Sequence, residues 1–203
     1  MDTLQLLGST LGLSFLAGMR LYATVLAAGL GIRFHLFHLP PALGGLEVLA
    51  HPAVLIIAGV AFAAEFIADK VPWFDSLWDS VHTFIRPIGA ALLGATAITQ
   101  MDPAMRVGLA LLCGSIALTS HSSKAATRVA VNHSPEPFSN IALSLAGDVA
   151  APVGVWVAMS HPVIALCVVI VAVAISLLLV RFIVRKLKMM FRRLSGDSEP
   201  ATA

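Results

Sequence analysis

Long apolar runs, separated by short polar or proline-bearing stretches, divide the chain into six segments. They are Leu4 to Ile32, His51 to Lys70, Pro87 to Gln100, Pro103 to Val131, Pro137 to Met159 and Pro162 to about Lys186. At ~1.5 Å per residue the first reaches roughly 43 Å, against a hydrocarbon core of about 30 Å, so it must tilt, protrude or break. The first and fourth are both interrupted near their middles by polar residues and a fixed cation, Gly18-Met19-Arg20 and Ser120-His121-Ser122-Ser123-Lys124. Breaks are expected at both places, with Gly18 beside Arg20 the weak point of the first helix.

Between the second and third segments the pattern changes. Phe74, Leu77, Trp78, Val81 and Phe84 recur at helical spacing, while Asp75, Ser76, Asp79, Ser80 and His82 take the other faces. This reads as a helix over 73–84 lying at the interface, tryptophans at headgroup level and carboxylates in water, with Pro87 opening a short third span. Asn132 to Pro137 is a turn-rich loop in which two prolines flank Glu136. The run Arg185 to Arg193 extends the last helix as a basic amphipathic stretch against anionic headgroups, and residues 194–203 form a disordered tail.

Composition places these segments in a bilayer. Of 203 residues, 58% are hydrophobic and only 12% charged, with a mean hydropathy of +0.90; soluble domains carry about 25% charged residues. The net charge of +2 conceals a cluster of Arg181, Arg185, Lys186, Lys188, Arg192 and Arg193 near the C-terminus, which reports orientation rather than nucleic-acid binding. If the chain crosses six times, Lys70, Arg86, Lys124, Arg128 and that cluster share one side. The expectation is a multi-pass protein of the inner membrane with both termini cytoplasmic. The N-terminus lacks a basic leader, so no cleaved signal is read there. Cys113 and Cys167 have no ligand spacing and read as packing residues.

Dividing the chain near Asp102 leaves three spans on each side. The expected fold is all-α, a six-span helical bundle in one domain (1–193), built as a 3+3 inverted repeat of about 4–100 and about 103–190. Broken helices 1 and 4 at corresponding places are a pointer to a transporter's binding site. Small residues at Gly18 and Gly8-x-x-x-Gly12 also suit close helix packing.

Glu65 and Asp69 share one face of the second helix at i and i+4, and Asp148 falls near the middle of the fifth. With Arg20 and Lys124 they make five ionisable groups within spans. At ~2.5–3.5 kcal/mol each, exposing all five to lipid costs roughly 12–18 kcal/mol, so they must face one another or water. Arg20 is expected to pair with Asp148 or Glu65, and Lys124 with Asp69 or Glu65; Asp69 beside Lys70 also reads as the wet end of its helix. The candidate substrate- or ion-binding set is therefore Arg20, Glu65, Asp69, His121, Lys124 and Asp148. The function expected is a small channel or secondary transporter for an ion or small solute. The alternative is a lipid-organising scaffold with a static ion-pair cluster.

Other chemistry finds little support. His35 and His38, or Asp75, Asp79 and His82, fall short of three convergent ligands in a recognised motif, so no metal or cofactor is expected. Ser120, His121 and Ser122 lack a nucleophile elbow, and adjacent helical side chains diverge, so no enzyme is expected. The partners implied are the lipid bilayer and a small ion or solute, with homo-oligomers left open and no nucleic acid.

The stretch Glu65-Phe66-Ile67-Ala68-Asp69-Lys70-Val71-Pro72-Trp73-Phe74-Asp75, then Arg86-Pro87-Ile88-Gly89-Ala90, resembles a family of bacterial integral membrane proteins catalogued only as a domain of unknown function. The resemblance includes Gly18-Met19-Arg20-Leu21-Tyr22-Ala23 and extends over most of residues 10–190. It implies a multi-span membrane protein and names no substrate.

Overall fold

The computed structural model describes residues 2–70, 74–132 and 137–194. They form α1 (Thr3–Arg33), a 3-10 segment (Pro41–Ala50), α2 (Pro52–Ala68), α3 (Phe74–Ala97), α4 (Pro103–Asn132), α5 (Pro137–Ser160) and α6 (Pro162–Leu194), with no strand among the described residues. Among the described residues four helices, α1, α4, α5 and α6, are long and apolar enough to cross a membrane. The 3-10 segment and α2, bent by 65° at His51, make a fifth when counted as one. The tail expected over 194–203 lies outside the described residues apart from Leu194, which closes α6.

The distribution of polarity is that of a protein dissolved in lipid. Ile56, Val60, Phe84, Leu111, Val168 and Leu178 stand exposed, while Arg20, Glu65, Asp69, Arg86 and His121 are at most 2% exposed. A water-soluble chain of this size does the reverse, because an apolar exterior that extensive would drive association.

α1 lies at the centre and packs on every other helix. Its start is fixed by a reciprocal cap between Asp2 and Gln5. Helical geometry then fails at Arg20, whose φ of −149° and ψ of 81° are extended. The first arm runs antiparallel to α5 and parallel to the start of α6, with Gly8 against Pro162, Gly12 against Ala158 and Ala165, and Leu16 against Gly154. The second arm lines one cavity together with Asp148, Pro152, Val155 and Trp156, and its end meets Leu49 and the Ala50 carbonyl through Gly29 and Arg33. In a straight helix Leu16 and Leu30 would be separated by about 21 Å along the axis. Here both lie level with residues 154–156 of α5, so α1 enters the bundle, turns at Arg20 and returns toward the end it came from.

The turn is possible because side chains take up the carbonyls that a broken helix releases. Ser120 Oγ donates to the Phe15 carbonyl at 2.9 Å, Arg86 Nη1 to that of Gly18 at 3.4 Å, and Thr24 Oγ1 to that of Arg20 at 2.7 Å. Irregular backbone at this depth survives only where protein supplies such partners. Gly18 is required by proximity, since a Cβ there would overlap Ser120 Oγ and the Ala117 backbone.

The other expected break is absent. α4 continues as helix through Ser120 to Lys124: Thr127 Oγ1 donates to the Ser123 carbonyl within its own turn, while Ser120 Oγ, shared between the Phe15 and Ala117 carbonyls, and His121 bond without disturbing the backbone. A re-entrant α1 and an uninterrupted α4 differ in shape, so the correspondence proposed between the first and fourth segments does not extend to their backbones. The two ends of the described chain lie apart. The first arm begins beside Pro162, whereas Leu194 lies at the far end of the 33-residue α6.

The third correction concerns 73–84. Residues 74–97 form one helix with Pro87 inside it, not an interfacial helix followed by a short span. Its apolar stripe, with Phe74, Leu77, Val81 and Phe84, faces outward, while Asp79 and His82 are buried. The amphipathic pattern was real and its orientation inverted: with lipid outside, the polar face turns in. Trp73 lies outside the described residues, as do the side chains of Asp75 and Ser76.

Two outcomes follow. Topology reporters fused ahead of Thr3 and after Leu194 are expected on opposite membrane faces; reporters on the same face would contradict the returning path of α1. Gly18→Ala is expected to lower stability by about 1–3 kcal/mol through overpacking at Ser120 and Ala117, read as a drop in melting temperature of the detergent-solubilised protein.

Candidate functional site

Five helices each turn one polar stripe toward a common centre. α2 contributes Glu65 and Asp69 at i and i+4. α3 contributes Asp79, His82 and Arg86, and α4 His121, Lys124 and Arg128, both at i, i+3 and i+7, the spacing of a single helix face. α5 contributes Ser144 and Asp148, and the tip of α1 contributes Arg20. This spacing brings the side chains together without any local irregularity except at Arg20.

Arg20 is the hub on the α1 side. Nη1 donates to Asp69 Oδ2, and Nη2 to the Ser144 carbonyl at 2.7 Å and its hydroxyl at 2.9 Å. Asp148 Oδ1 lies 3.3 Å from Nη2 and Asp148 Oδ2 3.7 Å from Lys70 Nζ. Of the two partners expected for Arg20, Asp148 is present and Glu65 is replaced by Asp69. Asp69 is fully buried, so it is no wet helix end.

Arg86 is the second hub. Nη2 donates to Glu65 Oε1 at 2.6 Å and lies 3.5 Å from Asp79, while Nη1 donates to His121 Nδ1 at 2.7 Å. A guanidinium can only donate, so His121 accepts at Nδ1 and carries its proton on Nε2, which meets Thr83 Oγ1 at 3.0 Å and the Asp79 carbonyl at 3.1 Å. The ring is thereby held as one neutral tautomer. Arg128 Nη1 joins Asp69 Oδ1 at 3.0 Å to Asp79 Oδ2 at 3.2 Å. At the edge, His82 donates from Nδ1 to the Trp78 carbonyl at 2.8 Å, leaving Nε2 to accept from the Tyr22 hydroxyl at 3.2 Å.

Lys124 behaves differently. Its ammonium is buried, with Asp69 at 3.7 Å, Asp79 at 3.8 Å and Glu65 at 4.0 Å, yet it makes no hydrogen bond. Both partners expected for it are close, and neither is in bonding contact. Both Asp148 oxygens and Arg20 Nε also lack hydrogen-bond partners.

Two cavities approach this network from opposite ends. One of about 330 Å³ lies between the second arm of α1, α2 and α5, with Leu36, Phe37 and Trp156 at one end and Asp148 at the other. The second, of about 250 Å³, lies between the α1 tip, α4 and α5 and is lined by Arg20, Lys124, Arg128, Ser123, Thr127 and Gly147. Gly147 and Asp148 are consecutive on α5, so the Arg20–Asp148 pair separates the two spaces. His35 and His38 sit elsewhere, around an open hollow with Glu47 and His51; among the described residues no group of three ligand side chains could hold a metal ion. His35 is explained by its backbone, a left-handed residue (φ 54°) closing α1 through the Leu36 N–H to Gly31 carbonyl bond at 2.9 Å.

The structure thus gathers all six predicted residues and adds Lys70, Asp79, Arg86, Arg128 and Ser144. By sequence Arg86 and Arg128 count as orientation charges at helix ends and Asp79 as an interfacial carboxylate; the structure buries all three in the network. The signal that identifies them is their i, i+3, i+7 spacing opposite an apolar stripe.

Removing one partner of a buried pair strands the other. Glu65→Gln and Arg86→Gln are each expected to destabilise the protein by about 3–5 kcal/mol, with the double variant nearer wild type than either; thermal unfolding in detergent across the cycle measures the coupling.

A family model described as a domain of unknown function (DUF4126) matches residues 7–182. The chain belongs to that family. No match was found among curated proteins or among solved structures.

Proposed function

We propose that the protein is a small channel or secondary transporter of the inner membrane, in which the tip of α1 and the Arg20–Asp148 pair form the barrier to a small ion or solute. The observation that carries the reading is the pair of cavities ending on either side of that contact. A packed structural core has no need of two vestibules, and intramembrane charge beside them is the usual mark of a pathway. Half-helix ends meeting near mid-depth are where transporters place substrate or coupling ions.

In this reading α2 to α6 cross the bilayer and α1 re-enters from the face that carries His35, His38 and His51. The exposed Arg181, Arg185, Lys186 and Lys188 near the end of α6 put that end in the cytoplasm by the positive-inside rule, and the start of α1 outside. Six crossings and the strict inverted repeat are replaced by five crossings around a re-entrant hairpin. Asp148, whose two oxygens accept no hydrogen bond, is the group that exchanges its partner as the barrier opens. Arg20 balances whichever state is empty. No enzymatic step is assigned.

A second reading has its own support. Arg86, Glu65, Arg128, Asp69 and Asp79 are directly bonded and deeply buried, as a static cluster that orients helices in a membrane scaffold would be. Flux separates the two. Reconstituted in liposomes, the wild type is expected to carry a proton-linked, cation or anion flux above empty vesicles, and Asp148→Asn to reduce it by roughly tenfold or more, about 1.4 kcal/mol on the barrier, while folding normally. Wild-type vesicles that match empty ones for all three ion classes would leave the scaffold reading in place.

A further inference from the structure

We infer that the cavity between the α1 tip, α4 and α5 is a binding site for an oxyanion, a carboxylate or phosphate group. This rests on the transport reading, whose substrate class it supplies. The argument starts from the lining. Three cations, Arg20, Lys124 and Arg128, and two hydroxyl residues, Ser123 and Thr127, border the space, and no carboxylate does. The acids that neutralise these cations are Glu65, Asp69 and Asp79, on α2 and α3, neither of which borders the cavity, together with Asp148 of α5, which lines the other cavity instead. Each cation is therefore held from one side by carboxylates, with the cavity on another.

Lys124 is the second, independent observation. Its ammonium is buried and forms no hydrogen bond, and the three nearest carboxylates stop at 3.7–4.0 Å. An ammonium has three protons to donate and loses a great deal by donating none. Arg20 Nε, likewise without a partner, faces Gly147 so closely that a Cβ there would sit 3.1 Å away. The missing side chain keeps the guanidinium edge clear. Planar guanidinium and compact ammonium donors, set among hydroxyls, match the lone pairs of carboxylate or phosphate oxygens.

The size of the space, about 250 Å³, suits a small oxyanion or one headgroup phosphate, with Leu143 and Ala146 offering an apolar wall to any short carbon chain. Oxyanion binding would complete the coordination of Lys124 and draw it away from Glu65, Asp69 and Asp79. The acids would then be left to Arg86 and Arg128, and the Arg20–Asp148 contact would loosen. Occupancy and opening of the barrier are in this way one event.

Binding is tested without any need for flux. Calorimetry on the full chain in uncharged, lipid-free detergent, titrated with phosphate, sulfate or acetate against chloride at equal ionic strength, is expected to show saturable binding by at least one oxyanion. Lys124→Gln and the cavity-filling Ala146→Leu are each expected to weaken it by roughly tenfold or more. Ala27→Leu, in the other cavity, is expected to leave it unchanged. If Lys124→Gln does not fold, Ala146→Leu decides, since it alters no charge. A parallel titration with phosphatidylglycerol micelles identifies the source: binding by that lipid alone assigns the phosphate to a headgroup, and binding by the soluble anions assigns it to a free solute. No oxyanion or lipid binding above chloride, or binding indifferent to Ala146→Leu, overturns the inference. Proton or cation flux without oxyanion binding would sink the anion site and spare transport. Oxyanion binding without flux would do the opposite.

Discussion

The fold is organised by the need to keep formal charge away from hydrocarbon. Arg20, Glu65, Asp69, Asp79, Arg86, Lys124 and Arg128 are all buried, and none could be turned outward without losing several kcal/mol. Each helix therefore has its rotation set by its charged stripe, with the apolar remainder facing lipid by default. Between helices in lipid there is little hydrophobic drive to choose a register. Here the ion pairs choose it: α2 is locked to α3 by Glu65 and Arg86, α2 to α4 by Asp69 and Arg128, and α1 to α2 and α5 by Arg20.

α1 is what makes this cluster more than a rivet. A helix that passed straight through would have placed Arg20 on a regular turn and filled the middle of the bundle along its whole length. By turning there, α1 brings its own backbone ends to the charges and leaves space both above and below the tip. The small residues of its first arm make this compatible with tight packing, since Gly8 and Gly12 let it close on the α5–α6 junction, where Ser9 Oγ also donates to the Ala158 carbonyl at 2.8 Å.

Much of this was legible from residues alone. The excess length of the first segment together with Gly18 and Arg20 announced a break, and the charges at depth announced a cluster. Three things were not legible, each for a physical reason. Whether a break produces a kink or a reversal depends on which distant groups accept the freed carbonyls, and Ser120 and Arg86 are remote in sequence from Phe15 and Gly18. Polar residues need not break a helix, because side chains can reach outward while the backbone keeps its own ladder, as Ser120, His121 and Arg128 of α4 do. The stripe of α3 carried the same periodicity whichever face was buried. Assigning it to water was a choice of solvent, and with that choice Asp79 and Arg86 dropped out of the site.

The position of Arg20 also sets the order of assembly. Arg20 meets Asp69, 49 positions further along the chain, and Asp148, 128 positions further, a wait of roughly 6–25 s for the latter at ordinary rates of protein synthesis. Until then the nascent hairpin has the counter-charge of Asp69 on α2 and lacks that of α5. Its seating is completed only after α5 has been made, the keystone set once the walls are up.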